Sequence, residues 1–231
     1  MSLVFRPRLV PTVAAAAAIA LTLYLGLWQT HRAAQKELLQ ALYETRTRET
    51  AVRLGGSSSA QDMLYRRVIA AGRWIAERQF FVDNQVHAGR AGFHVVTPLR
   101  LAGSNAVVLV NRGWIARTAA YPAAPEVPVP QGDVEVTGLA ALPPRRYLEL
   151  SGATVSGNVW QNLSIERYAQ ATGLPLLPFE VLADRPAPGL EAVRESPDAG
   201  VEKHREYALT WFSLAATVLA LWIALNARRV R

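Results

Sequence analysis

The chain of 231 residues has no cysteine and none of several common enzyme motifs. Without cysteine it cannot form a disulfide framework, a thiolate zinc site or a CxxCH attachment for covalent haem. GxSxG, HExxH, P-loop and GxGxxG patterns are also missing, and these are the usual sequence signals of hydrolases, metalloproteases and nucleotide-binding enzymes. We therefore expect a protein that is not an enzyme.

The net charge of +7 is concentrated at the two ends of the chain. The rest of the sequence carries 20 Lys and Arg against 18 Asp and Glu, so it is nearly neutral. The terminal basic residues are Arg6, Arg8, Arg228, Arg229 and Arg231. A nucleic-acid-binding protein would carry its excess charge on a folded surface. Positive charge next to apolar runs instead indicates how a chain is oriented in a membrane. We therefore expect the protein to contact a lipid bilayer and not a nucleic acid.

Two apolar runs are long enough to cross a membrane as helices. Residues 9–28 form 20 positions without a charge, and residues 207–227 form 21 more. About 20 residues span the hydrocarbon core. The first run could be a signal peptide, but it exceeds the usual apolar region of about 7–15 residues, so we favour an uncleaved anchor. The terminal arginines then place residues 1–8 and 228–231 in the cytoplasm and residues 29–206 outside.

The region between the runs has the composition of a β-domain. Residues 29–53 read as a helical extension and residues 54–61 as a Gly/Ser linker. Short runs rich in Val, Ile and aromatics follow, interrupted by a proline-rich excursion at residues 121–132. "SIERYAQATG" predicts one short amphipathic helix, capped by Ser164 and ended by Gly173. The expected fold is an α+β membrane protein: two antiparallel transmembrane helices flank a β-rich extracytoplasmic domain.

Antiparallel spans bring their outer ends to one level, which defines a candidate site. Singly, aromatics there are typical interfacial belt residues, and arginines typically extend towards the headgroups. Together they supply imidazole, aromatic faces and guanidinium groups, which suit a porphyrin with propionates. The residues at this level are Trp28, Gln29, His31, Arg32, His204, Arg205, Tyr207 and Trp211.

Two further groups of polar residues lie in the β-domain. His87 and His94 flank a predicted turn, but without a third ligand nearby we read them as hairpin residues rather than a metal site. Asn111, Arg112 and Gly113 interrupt an apolar strand in "VNRGWI". Two interpretations stay open: a bulge or strand end in which Arg112 pairs with a carboxylate, or a turn that binds a partner.

Three segments, taken in order, resemble the SURF1 family. "LGLWQTHRAAQK" resembles its opening LGxWQxxRxxxK pattern, "GFHVVTPL" with "VLVNRGWI" resembles its central block, and "HREYALTWF" resembles its HxxYxxxWF closing motif. The resemblance implies an assembly factor for haem-copper, aa3-type cytochrome c oxidase that brings haem a to subunit I. Haem a synthase is a possible further partner. A bacterial member would lie in the inner membrane, with its central domain in the periplasm.

Carried over by position, the resemblance makes His204 the ligand of the haem a iron. Trp28, Gln29, Tyr207 and Trp211 would line that site, and Arg32 or Arg205 would pair with propionates. Positions 204, 207, 208 and 211 share a helix face, so we expect a flat ring between the aromatics above the small Ala208. One alternative is a scaffold that docks on nascent subunit I without haem. A two-span sensor is another, but its cytoplasmic tails would be too short for an output domain.

Overall fold

The computed structural model describes residues 2–143, 155–194 and 200–230. Its α-helices are α1 (Leu9–Thr47), α2 (Ala60–Met63), α3 (Ile165–Thr172) and α4 (Val201–Asn226). Its strands are β1 (Ser2–Phe5), β2 (Val52–Arg53), β3 (Arg67–Trp74), β4 (Phe80–His87), β5 (Arg90–Leu101), β6 (Val107–Ala116), β7 (Asp133–Ala141), β8 (Val155–Ser156), β9 (Val159–Trp160), β10 (Leu176–Ala183) and β11 (Ala227–Val230). They form two units: residues 1–42 with 196–231, and residues 43–195.

The first unit is an antiparallel pair made by α1 and α4. Near the chain ends, Trp222 Nε1 donates to Thr12 Oγ1 at 3.1 Å. Further along, a Cβ added to Gly26 would lie 2.6 Å from the Phe212 ring, so the backbone of α1 runs directly against that ring. Strands β1 and β11 pair antiparallel and join the two ends of the chain, which the sequence did not indicate. Both helices are long and apolar enough to cross a bilayer.

Helix α1 continues well beyond the predicted span but ends earlier than the predicted extension. It is unbroken from Leu9 to Thr47, whereas the sequence suggested helix up to residue 53. Val52 and Arg53 instead pair with β3 as a parallel strand. Sheet pairing therefore replaces the predicted helix at Val52 and Arg53, the last two residues of that extension.

The Gly/Ser segment at residues 54–61 is an ordered turn rather than a plain linker. Leu54 is buried in the core of the second unit. Ser59 Oγ accepts from the Asp62 backbone N–H at 3.1 Å and caps α2. A side chain at Gly56 would collide with Ser104. The composition that suggests flexibility thus provides a cap and a close approach.

The second unit contains a closed β-barrel. Strands follow the order β3-β7-β10-β6-β5, and β3 then pairs with β5 to complete the ring. Neighbours are antiparallel except for β10 and β6, which run parallel. The predicted strand runs are confirmed, but their closure into a barrel was not predicted. Side chains of all five strands fill the interior, among them Val68, Ala70, Leu99, Val108, Val110, Ala140, Phe179 and Val181.

Strands β4, β9 and β8 extend the sheet beyond β5, and α3 packs beside them. The predicted α3 is confirmed in its bounds and both caps. Ser164 Oγ accepts from the Arg167 N–H at 3.2 Å, and Gly173 ends the helix in the left-handed conformation with φ of 69°. Tyr168 on this helix stacks on Phe80 with ring centres 4.3 Å apart. The helix therefore covers one apolar face of the sheet.

The proline-rich segment between β6 and β7 forms no strand, as predicted. It is held to the sheet by Asp83, whose carboxylate accepts from Arg117 at 2.7 Å and from the Tyr121 hydroxyl at 3.1 Å. Val127 is buried in a third apolar cluster with Phe81 and Phe93. The excursion is thus a fixed part of the barrel domain.

Candidate functional site

The closing and opening motifs of the sequence meet in the helix pair. His204 lies in the first turns of α4 and Gln29 near the middle of α1. Their side chains are joined by a hydrogen bond of 2.6 Å between His204 Nδ1 and Gln29 Oε1. The expectation that these two residues share one level is therefore met. The sequence predicted only a shared level for the two residues, whereas their side chains are in direct contact.

This hydrogen bond sets which nitrogen of the neutral imidazole carries the proton. An amide oxygen only accepts, so Nδ1 must carry the proton. In the neutral ring the lone pair then lies on Nε2, which makes Nε2 the nitrogen able to bind a metal. Metal-binding histidines commonly donate their other N–H to such a partner, which sets the tautomer and the ring orientation. His204 is half-buried, so water and ligands can reach it.

The three aromatic residues of the candidate site differ in their exposure. Tyr207 is 58% exposed and Trp28 is 51% exposed, while Trp211 is half-buried. In the ranges that the structure describes, these three rings make no ring–ring contact. They offer accessible aromatic faces along the helix pair, and their arrangement as two opposed walls stays a prediction.

The predicted space above Ala208 is not there. Ala208 is 6% exposed, as is typical of the small residues where the two helices pack. Small residues at such positions let two backbones approach closely, and Gly26 does the same against Phe212. The helical face that contains Ala208 is thus turned inward, whereas Tyr207 points away from it. A flat ligand would lie on the exposed side of His204.

The two predicted arginines differ in their availability. Arg205 pairs with Glu37 at 2.8 Å and with Glu202 at 3.2 Å, so two carboxylates already balance its charge. Arg32 is exposed and donates to the neutral Gln35 Oε1 at 3.1 Å. Arg32 is therefore the better placed cation for an anionic ligand. The role of Glu37 was not predicted, because nothing in the sequence pairs residues so far apart.

Asn111, Arg112 and Gly113 lie inside strand β6 rather than in a turn. His94 pairs with Trp114 and Val96 with Asn111, so two residues of β6 face one of β5 in a bulge. Gly113 has φ of 139°, and an added Cβ would lie 2.7 Å from Leu190. The bulge in the first interpretation is confirmed. The partner-binding role of these three residues stays a prediction.

Arg112 is not paired as that interpretation expected. It is 4% exposed, and its Nη1 donates to Gln79 Oε1 at 2.8 Å. Nη2 donates to the Pro128 carbonyl at 2.9 Å, which ties the proline-rich excursion to the barrel. Burial lowers the pKa of the Arg112 guanidinium below its usual value. Both described partners are neutral oxygens rather than a carboxylate.

Among the described residues, the two histidines of the β4–β5 hairpin belong to no group of three side chains that could hold a metal ion. His87 Nε2 lies 3.3 Å from Glu191 Oε2, and its ring packs on Trp114. Burial, with a smaller effect from His87, lowers the pKa of His94 to about 4. The hairpin interpretation fits this arrangement.

These features define a class of protein: a small β-barrel domain carried, in sequence, between two long apolar helices. The profile of the SURF1 family matches residues 16–216, and the chain belongs to this family. A SURF1-like protein from Monosiga brevicollis is 29% identical over 223 residues, which cover 89% of this chain and 83% of that protein. Surfeit locus protein 1 from Mus musculus is 26% identical over 220 residues, covering 89% and 72%. A SURF1-like protein from Rickettsia felis is 25% identical over 214 residues, covering 86% and 89%.

Proposed function

We propose that this SURF1-family chain is a membrane-bound assembly factor for aa3-type cytochrome c oxidase, which holds haem a and assists its insertion into subunit I. The observation that carries the proposal is the hydrogen bond between Gln29 and His204. It links the two motifs at the ends of the chain and leaves Nε2 of the imidazole free to bind iron. The chain acts as a carrier and not as an enzyme.

The residues around His204 fit haem a as a cargo. Imidazole is a common axial ligand of haem iron. Trp28, Tyr207 and Trp211 offer apolar surface beside it, and Arg32 supplies a guanidinium for a propionate. The site is open on one side because His204 is only half-buried. Open access suits a protein that must hand its ligand on.

The surface of the helix pair supports a membrane location. Large apolar side chains point outward along both helices, with Leu9 80%, Leu209 69% and Leu225 76% exposed. Exposed apolar surface of this extent is stable in hydrocarbon but costly in water. Arginines near both chain ends favour a cytoplasmic location for the termini. The barrel domain would then lie in the periplasm of a bacterial inner membrane. Arg231, one of the five terminal arginines, lies outside the described residues.

The first test is haem a content after purification. The full-length protein is produced in cells that make haem a, with wild type, His204→Ala, Gln29→Ala and His31→Ala compared at equal membrane levels. We expect His204→Ala to lose the haem. Gln29→Ala should lower occupancy about 10-fold, the usual scale for a residue that orients a metal-binding histidine. His31 is exposed on α1, the helix that carries Gln29, and serves as the matched histidine control. Unchanged haem content in His204→Ala would overturn the ligand assignment.

The scaffold alternative makes a different prediction in the cell. Deleting the gene should lower the haem a content of subunit I while its synthesis continues. A scaffold without haem would predict that His204→Ala restores oxidase activity in the deletion strain as well as wild type does. Restoration by that variant would favour the scaffold over the carrier.

Topology is tested separately with reporter fusions. Alkaline phosphatase is active only outside the cytoplasm. We expect activity for a fusion near Gly132, in an exposed loop of the barrel domain, and none for a fusion after Arg231. The reverse pattern would contradict the proposed orientation.

A further inference from the structure

Arg112 is a buried cation without a counter-ion in the described parts of the chain. Its hydrogen-bond partners are the Gln79 side-chain oxygen and the Pro128 carbonyl, and its Cζ lies 5.5 Å from the centre of the Trp74 ring. Each partner is neutral. Removing a charge from water is costly unless an opposite charge compensates it. The guanidinium has five N–H donors, and the described bonds occupy only two of its nitrogens.

Arg112 lies at an open end of the barrel. A cavity of about 200 Å³ borders its side chain there. Val110, two residues earlier on β6, belongs to the interior core and lines the same cavity, which places the Arg112 side chain at the end of the barrel interior. Trp74 and Ala183 are the last residues of β3 and β10, which marks the cavity as the mouth of the barrel. Val134 and Val136 of β7 complete its apolar wall. Barrel mouths are frequent ligand sites.

The charges around this mouth favour an anion. Arg185 is exposed at its rim and forms no ion pair within the described residues. Glu135, on the wall, is already paired with Arg53 at 2.8 Å. Two arginines therefore face the mouth with no unpaired carboxylate to balance them. An incoming carboxylate would supply the missing charge.

We propose that the barrel mouth binds an aspartate or glutamate side chain in an extended apolar segment of a partner protein. Arg112 would meet the carboxylate with two parallel hydrogen bonds, which its planar fork favours. Trp74, Val134 and Val136 would contact the residues on either side of the acid. A cavity of about 200 Å³ is below the roughly 300–1,000 Å³ of small-molecule sites, which favours one side chain over a whole cofactor.

This proposal deepens the docking part of the proposed function, because it names the chemistry that the oxidase subunit would present. The proposal also assigns the binding role to Arg112 alone, whereas its neighbours Asn111 and Gly113 have structural roles. Asn111 Oδ1 accepts from the Gly113 N–H at 3.2 Å and supports the bulge, and Gly113 makes room for Leu190. Only Arg112 of the three lines the mouth.

The experiment follows the indole of Trp74 in the full-length protein in detergent. All six tryptophans are replaced by 5-fluorotryptophan, and the Trp74 ¹⁹F resonance is assigned with Trp74→Phe. The probes are the peptide acetyl-Val-Pro-Glu-Val-Pro-amide, the same peptide with glutamine, and hexanoate. We expect a saturable shift of Trp74 with the glutamate peptide, at least about 10-fold tighter than with the glutamine peptide. Equal shifts with both peptides would overturn the proposal. Tighter binding of hexanoate than of the glutamate peptide would show that the site prefers a free carboxylic acid to a polypeptide segment. That result would also overturn the proposal.

Two variants separate binding from stability. Arg112→Gln removes the cation and should abolish the preference for glutamate. Ala183→Leu keeps the guanidinium but fills the mouth, and should weaken the peptide at least about 10-fold even if Arg112→Gln fails to fold. Arg100→Gln, which removes an exposed arginine of β5, is the charge-matched control and should bind as wild type. Wild-type binding by Ala183→Leu contradicts the proposal. His204→Ala should keep the Trp74 response, so failure of the haem proposal and failure of this one are distinguishable.

Discussion

The barrel and the helix pair bury different kinds of side chain. In the barrel domain the fully buried residues include large ones, with Trp114, Phe93 and Phe179 each at 1% exposure or less. In α1 the buried residues are Gly26 and Ala33, while Leu9 and Val10 are 80% and 78% exposed. Water drives large apolar side chains inward, but hydrocarbon gives no such drive, and helices then pack through small residues. The helix pair thus has the burial pattern expected of helices that pack in hydrocarbon, and the barrel domain has that of a unit folded in water.

The largest expected effect is on the barrel. Gly72 lies where β3 closes against β5, and a side chain there would overlap the Arg100 carbonyl oxygen. Because backbone cannot move aside as a flexible side chain does, Gly72→Ala should cost more than about 4 kcal/mol and open the barrel. Denaturant unfolding and limited proteolysis measure this loss. Gly55→Ala is the control, since nothing lies within 4 Å of its added Cβ. A stable Gly72→Ala would show that the barrel is not closed there.

The next effect depends on pH and is confined to the barrel domain. Burial lowers the pKa of His94 to about 4 from its usual 6.5. Between these values the unfolded chain binds the proton and the folded one does not, so stability is full above pH 6.5 and is lost as pH falls towards 4. The loss should reach about 3 kcal/mol. Denaturant unfolding from pH 7.5 to 4.5 should show a flatter dependence in His94→Gln. An identical slope in both proteins would contradict the assignment.

A smaller effect is expected in the helix pair. Gly26→Val would drive a side chain into the Phe212 ring, which can turn aside only in part. We expect a loss of about 2 kcal/mol, the usual scale of overpacking. Thermal unfolding in detergent is the measurement. Phe212→Ala should restore most of the loss in the double variant, because it removes the obstructing ring. Strict additivity of the two substitutions would show that the helices do not touch at this point.

The smallest expected loss of stability is at the N-terminus of α3, which lies beside the barrel. Ser164→Ala removes the hydroxyl that caps α3, which should cost about 1 kcal/mol. A thermal melt of the full-length protein is sufficient to measure it. Ser164→Asp should keep most of the stability, because a carboxylate also accepts the N–H bond at a helix start. Equal loss in both variants would assign the effect to something other than the cap.

Local chemistry made much of the fold predictable. Runs of Val, Ile and aromatics identify the six long strands, and Ser164 and Gly173 identify both ends of α3. Closure of the barrel depends on contact between Gly72 and Arg100, which are 28 positions apart and carry no shared local signal. The end of α1 likewise depends on the pairing of Val52 with β3.

The candidate site was predictable in part for the same reason. Antiparallel spans place Gln29 and His204 at one level, but the hydrogen bond between them depends on side-chain orientation. The inward turn of Ala208 depends on which face of α4 packs, and several faces carry small residues. One of the two interpretations paired Arg112 with a carboxylate, whereas two neutral oxygens accept its hydrogen bonds.

The position of β10 has a consequence for the order in which the domain forms. This strand lies between β6 and β7, although it comes after both in the chain. Until residues 176–183 have been synthesised, the facing edges of β6 and β7 have no strand between them, and their backbone N–H and C=O groups lack these partners. Open strand edges invite pairing with other chains. The last strand of the domain is therefore the one that completes the sheet. A chain truncated before Leu176 should aggregate rather than fold.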